Sequence, residues 1–74
     1  MTATLHPVGM LKTYIGGKSN FEVAIGISVR DALKVAGIPP ELIALVLING
    51  QYQTKDYILA EGDQVQVMAV IGGG

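Results

Sequence analysis

One short helical pattern lies among several strand patterns in this chain, and that combination limits the folds open to it. Apolar residues recur with helical spacing after Ser28, a residue type that caps helices, and Gly37 is placed to end the helix. The apolar stripe consists of Val29, Ala32, Leu33 and Ala36. Because one short helix covers only one face of a sheet, the strands must pack against it in an α+β arrangement.

Strand patterns lie on both sides of this helix. The predicted strands span residues 10–15, 21–27, 45–48, 51–53 and 64–71. Apolar and polar residues alternate in the second and last of these ranges, which is typical of strands with one buried face. The Asn49-Gly50 pair predicts a tight hairpin turn between the third and fourth strands. The order strand, strand, helix, strand, short strand, strand predicts an α+β roll in which a mixed sheet packs on one main helix.

Turn-forming residues separate these elements. Residues 16–20, which begin with two glycines, predict the hairpin loop between the first two strands. The pair His6-Pro7 argues against regular structure before the first predicted strand, since proline restricts the residue that precedes it. Residues 40–42 predict one further turn of helix, and residues 60–63 predict a turn. No internal repeat divides the chain further.

The composition indicates one small domain and excludes several functions. We place this domain at residues 1–71, with residues 72–74 as a flexible glycine tail. The absence of cysteine excludes disulfides and any sulfur carried on a thiol side chain. The net charge is −1 and no basic stripe is present, which argues against nucleic acid as a partner. No apolar stretch nears the ~20 residues that cross a bilayer, and no signal peptide is evident. We therefore expect no membrane association and a cytoplasmic location.

Half of the residues are hydrophobic and only 15% are charged, which is apolar for so small a domain. A well-filled interior accounts for this excess in one interpretation. In the other, an exposed apolar face is reserved for a partner. The composition leaves both interpretations open.

Three glycines, Gly72, Gly73 and Gly74, follow the last predicted strand. They carry the α-carboxylate of Gly74 roughly 10 Å beyond the last apolar side chain when extended. A tether without Cβ atoms enters narrow channels and adopts backbone angles closed to other residues. This arrangement suits a carboxylate that another enzyme must reach and activate, whereas the alternative is a frayed terminus without function.

Several motifs resemble a known family in their order and spacing. The matching segments are residues 45–51, Asp56 with Leu59, residues 61–65 and the terminal glycines. Together they resemble the ThiS/MoaD-type sulfur-carrier family of the ubiquitin-like β-grasp fold. This family includes the small subunit of molybdopterin synthase and the sulfur carrier of thiamine biosynthesis. The resemblance covers residues 14–74, which is most of the chain.

The resemblance implies a carrier protein that is not itself an enzyme, in the form of a separate carrier or of the small subunit of a synthase. An activating enzyme related to ubiquitin-activating enzymes adenylates the carboxylate of Gly74, and a sulfur donor converts the adenylate into a thiocarboxylate. A synthase subunit then accepts the sulfur. No cofactor is bound, because the adenylate and the thiocarboxylate are transient covalent states of the terminus. Gly72 and Gly73 occupy the channel that leads to the activating site.

The resemblance also implies a docking face but leaves the pathway open. In the related carriers the exposed sheet face docks on the activating enzyme, which makes Leu47 and Tyr52 candidate partner contacts. Residues 14–18 and 38–42 are similar to the molybdopterin branch. The Pro-Pro pair that this branch usually has before its glycines is absent at residues 68–70, and the ending is closer to the thiamine branch. Both pathways therefore stay open.

Other functions compete for the same residues. A ubiquitin-like modifier uses the same terminus to form isopeptide bonds with lysines, and a plain interaction domain leaves the tail idle. His6, the only histidine, has no evident second metal ligand or nucleophile beside it, so we predict no metal site. Gly16-Gly17-Lys18 lacks the spacing of a phosphate-binding loop. Arg30 and Lys34 on one helix face suit either solvent or an acidic partner, whereas Glu61 and Asp63 suit a turn.

Overall fold

The computed structural model describes residues 1–69. The strands are β1 (Thr2–Pro7), β2 (Phe21–Ala24), β3 (Ile43–Ile48), β4 (Gln51–Tyr52) and β5 (Gln64–Ala69). Within residues 1–69 the one α-helix, α1, spans Val29–Ala36, and two 3₁₀ helices span Gly9–Ile15 and Pro40–Leu42. The predicted end of the last strand at residues 70 and 71, and the glycine tail at residues 72–74, lie outside the described residues.

The strands form one mixed sheet in the order β2-β1-β5-β3-β4. The central strand, β5, runs parallel to its neighbour β1, and the other neighbouring pairs are antiparallel. The helix α1 packs on one face of this sheet. The most deeply buried side chains between them are Leu5, Leu11, Val29, Leu33, Ile38, Leu59, Val65 and Val67. This architecture is the β-grasp roll that the sequence predicts.

The helix α1 forms for the reasons evident in its sequence. The hydroxyl oxygen of Ser28 accepts a hydrogen bond from the backbone N–H of Asp31 at 3.1 Å, which caps the first turn. Gly37 adopts a left-handed conformation with φ of 85° and ends the helix. The predicted apolar stripe is the buried face, with Val29, Ala32, Leu33 and Ala36 all in the core. Both predicted boundaries of this helix are confirmed.

The prediction of a first strand at residues 10–15 is wrong. These residues form the first 3₁₀ helix, and Leu11 and Ile15, four residues apart, are its buried positions. The first strand is instead Thr2–Pro7, and its alternate residues are buried. Pro7 has no N–H to donate, but its nitrogen faces the β2 side of the strand. The pairing of β1 with β2 ends at Leu5, which lies opposite Phe21, so no ladder hydrogen bond is lost at Pro7.

The structure also differs from two smaller predictions, for residues 16–20 and for the end of β2. Residues 16–20 do not form a tight hairpin loop, because the segment before them is helical and β1 lies further back. The strand β2 ends at Ala24, short of the predicted residue 27. Beyond it the backbone pairs with a different segment, as the hydrogen bonds from Gly26 N to Leu59 O and from Leu59 N to Ile27 O indicate.

The turn after β3 forms as predicted. Asn49 and Gly50 both have positive φ angles, 51° and 86°, as a two-residue hairpin turn requires. The return strand β4 is brief and lies at the edge of the sheet. Residues 40–42 form the predicted extra turn, although it is 3₁₀ rather than α-helical.

Candidate functional site

The strand β5 is the last element before the three glycines in the sequence, and its position in the sheet is central. Two strands flank it, β1 in parallel and β3 in antiparallel orientation. Val65 and Val67 anchor it in the core with no solvent exposure. The last described residue of this strand, Ala69, is paired with Ile43. Gly72, Gly73 and Gly74, the predicted working residues, lie outside the described residues, and their proposed role stays a prediction.

The sheet face opposite α1, which we call the outer face, has an apolar half and a polar half. The register places Leu47 beside Gln66 and Tyr52, and Leu45 beside Met68. The polar half consists of Glu22, Thr4, His6 and Gln64 on strands β2, β1 and β5. The apolar half therefore covers β3, β4 and the end of β5, which is the side from which the chain continues to the tail.

The predicted contact residues Leu47 and Tyr52 lie directly opposite each other across β3 and β4. Tyr52 is 73% exposed, so little of its side chain packs against the domain, and Leu47 is half-buried. The structure thus brings the two residues together on the outer face, and their role in docking stays a prediction. Sequence reasoning missed Leu45 and Met68, although alternation along each strand puts them on the same face.

A buried carboxylate holds the turn before β5. Asp63 is 6% exposed. Its Oδ1 accepts a hydrogen bond from Nδ2 of Asn49 at 3.0 Å. Its Oδ2 accepts from the backbone N–H of Ala60 at 2.9 Å and from the hydroxyl of Tyr57 at 3.1 Å. Asn49 in turn accepts from the backbone N–H of Gln64 at 2.9 Å, so the β3–β4 turn is fastened to the start of β5.

These hydrogen bonds shift two pKa values in opposite directions. The Ala60 N–H, followed by Asn49 and Tyr57, lowers the pKa of Asp63, while burial of the carboxyl partly opposes this effect. The hydrogen bond to Asp63, together with burial and the negative charge of that carboxylate, raises the pKa of Tyr57. The arrangement therefore favours an ionised Asp63 and a neutral Tyr57. The prediction of Asp63 as a turn former did not foresee Tyr57 as a partner.

The sequence matches the ThiS family over residues 8–74. This chain belongs to the ThiS family. Its fold is similar to that of SAMP1 from Haloferax volcanii, with a TM-score of 0.73 at 21% identity over 100% of both chains. It is also similar to Urm1 from Trypanosoma brucei, with a TM-score of 0.72 at 16% identity over 99% of this chain and 95% of that one. No curated protein matches the sequence significantly.

Membership of the ThiS family makes this chain a ubiquitin-like carrier or modifier, and proteins of that class are generally not enzymes themselves. The resemblance and the β-grasp fold inferred from the sequence are thereby confirmed. The first seven residues, which contain the whole of β1, precede the matched range.

Two further polar pairs lie on the surface of this ThiS-family protein. Nε2 of His6 lies 2.6 Å from Oε1 of Gln64 on the outer face. Arg30 forms a surface ion pair with Asp56. Within residues 1–69 there is no cluster of three side chains able to hold a metal ion. Over the same residues no helix is long and apolar enough to span a membrane.

Proposed function

We propose that this protein is a sulfur carrier whose working group is the α-carboxylate of Gly74. An activating enzyme transfers AMP from ATP to this carboxylate, which forms an acyl adenylate and releases pyrophosphate. Sulfide sulfur then attacks the acyl carbon, AMP leaves, and a C-terminal thiocarboxylate remains. The thiocarboxylate donates its sulfur to an acceptor in cofactor biosynthesis.

One observation carries this proposal: the ThiS family match extends through residue 74 and so includes all three glycines. The fold supports it, because β5, which precedes these glycines in the sequence, lies between β1 and β3 and has Val65 and Val67 fully buried. A rigid body with a reactive group on a short tether is an arrangement suited to a group carrier, in which a partner enzyme does the difficult chemistry.

The chemistry explains why glycine suits the reactive position. A free carboxylate is a poor electrophile, whereas its mixed anhydride with AMP contains a good leaving group. Glycine leaves the acyl carbon open to attack, since it has no side chain beside the carbonyl. After sulfur transfer the same terminus becomes a sulfur nucleophile that a second enzyme reaches along the same narrow approach.

The outer face is the proposed docking surface for the activating enzyme. Its apolar half, with Leu47 and Tyr52 at the centre, has the composition of an interface core: aromatic and aliphatic side chains with few charges. The polar half, with Glu22 and His6, is the proposed rim. The sulfur acceptor is a synthase subunit of either the molybdopterin or the thiamine pathway.

The test is the intact mass of the purified protein after incubation with ATP, sulfide and a candidate activating enzyme of each pathway. We expect a mass increase equal to exchange of one oxygen for sulfur, and no increase for a variant without Gly74. The activating enzyme that supports the exchange identifies the pathway.

A second arm of the experiment separates the carrier from a protein modifier. The same mixture is supplied with cell extract instead of sulfide, and lysine-linked species of higher mass are sought by peptide sequencing. Conjugates without any thiocarboxylate would show that the activated terminus is attacked by amines. No mass change with either activating enzyme would refute the proposal, and if conjugates are absent as well, an interaction domain with an idle tail is left.

A further inference from the structure

The end of the molecule at which β5 finishes is flanked by two 3₁₀ helices. On one side, β1 runs parallel to β5 and continues through Val8, whose N–H donates to Val67 O at 3.1 Å, into the first 3₁₀ helix. On the other side, Ile43 pairs with Ala69, and the second 3₁₀ helix directly precedes it. Both connections therefore border the point where the chain leaves the sheet toward Gly74.

Both connections expose apolar side chains at this end. Met10 is 71% exposed, and Val8 and Leu42 are exposed as well. We call these three residues the exit rim. They differ from the apolar half of the outer face, which the pleat directs away from α1, because they lie in the segments that follow β1 and precede β3. Exposed apolar side chains grouped at one end of a small domain are typical of an interaction site.

The distance from Ala69 to Gly74 determines what must cover the exit rim. Gly74 lies five residues beyond Ala69. Even fully extended, five residues span at most about 18 Å. An enzyme that acts on the Gly74 carboxylate must therefore hold its reacting groups within that distance of the end of β5. Active sites are concave and bury most of what they bind. The walls of such a site must then approach the flanking residues Val8, Met10 and Leu42.

We propose that the exit rim is a second contact surface for the enzyme that adenylates Gly74, separate from the outer face. The occupant is the mouth of that enzyme's nucleotide-binding site, and the contact is apolar on both sides. This inference rests on the proposed function. The contact between the exit rim and the enzyme positions the start of the tail, so that the carboxylate reaches the α-phosphate of ATP.

The experiment compares charge insertions at exposed apolar positions, of which Met10 and Val35 are matched in exposure, at 71% and 69%. Met10→Glu and Leu42→Glu introduce one charge on each flank of the exit rim. Val35→Glu is the matched control, because Val35 is 69% exposed on α1 and belongs to neither proposed surface. ATP–pyrophosphate exchange is measured with the activating enzyme that supports exchange with the wild-type chain, as a function of carrier concentration. Thermal unfolding verifies that each variant is folded.

We expect each rim variant to lower kcat/KM about tenfold, the loss typical of an interface contact of more than 1 kcal/mol. Val35→Glu should match the wild type. Rim variants that are folded and react like Val35→Glu would overturn the inference while leaving the proposed function intact. If the wild-type chain supports no exchange with any activating enzyme, the proposed function fails and the inference with it.

Discussion

Removal of the Asp63 carboxylate tests whether the buried network holds the start of β5. In Asp63→Ala, three hydrogen bonds to one carboxylate are lost, from Asn49, Tyr57 and the Ala60 backbone. A hydrogen bond to a charged group contributes about 1.5–3 kcal/mol, but water reaches Asn49 and Tyr57 once the carboxylate is gone. We therefore expect a net loss of about 3 kcal/mol in the free energy of unfolding.

That loss is large for so small a protein. At 0.05–0.15 kcal/mol per residue, a 74-residue domain has a stability of about 4–11 kcal/mol. The loss corresponds to a decrease in Tm of about 12–24 °C. Urea unfolding followed by circular dichroism measures it. Glu61→Ala is the control, because Glu61 is exposed in the same turn and should change stability by less than about 0.5 kcal/mol.

The pH dependence of a second variant at this position, Asp63→Asn, checks the cause. Since the pKa of Asp63 is lowered in the folded state, its stabilisation is present above the ordinary aspartate value of about 3.9. This stabilisation is lost as the pH falls through the folded-state pKa. The stability difference between the wild type and Asp63→Asn should therefore shrink below about pH 4. A difference that stays constant from about pH 7 to about pH 3 would refute the electrostatic account of this network.

Two further predictions concern the helix and the outer face. Ser28→Ala removes the cap on α1 and should lower the free energy of unfolding, measured in urea, by about 1 kcal/mol. Ser28→Thr keeps the hydroxyl and should keep most of the stability. Equal losses for both variants would contradict the capping role. Tyr52→Ala, at a position exposed enough to leave the fold intact, should lower kcat/KM for the activating enzyme about tenfold. Val35→Ala on α1, which belongs to neither proposed surface, is its control, and equal rates for the two variants would exclude docking through Tyr52.

Local patterns allowed much of the chain to be assigned from sequence. The helix is confirmed at both ends because its cap, its apolar stripe and its terminal glycine are all local signals. The hairpin turn at Asn49-Gly50 is confirmed for the same reason, since the turn needs positive φ at both residues. The first strand was misplaced because Met10 to Ile15 is apolar, and the spacing of Leu11 and Ile15 indicates a helix turn rather than a strand.

The candidate site also contains features that the sequence predicted and features that it did not. Alternation in β3 and β5 determines which residues share a face, so Leu47 was found from the sequence together with the resemblance. The sequence did not indicate Tyr57 as a hydrogen-bond partner of Asp63, because Tyr57 lies in a long connection that has no regular pattern. The flanking of β5 by two 3₁₀ helices was also absent from the sequence reasoning, since it depends on strand order.

The sequence by itself determined the elements near their strongest local signals, the ββαβββ order and the three C-terminal glycines on which the proposed function rests. Only the tertiary structure decided that β1 and β5 pair in parallel at the centre of the sheet. It also decided that Val8, Met10 and Leu42 border the end of β5. The physical reason is that hydrogen bonds between strands join residues far apart in the chain, so the pattern within one strand specifies its buried face but not its neighbour.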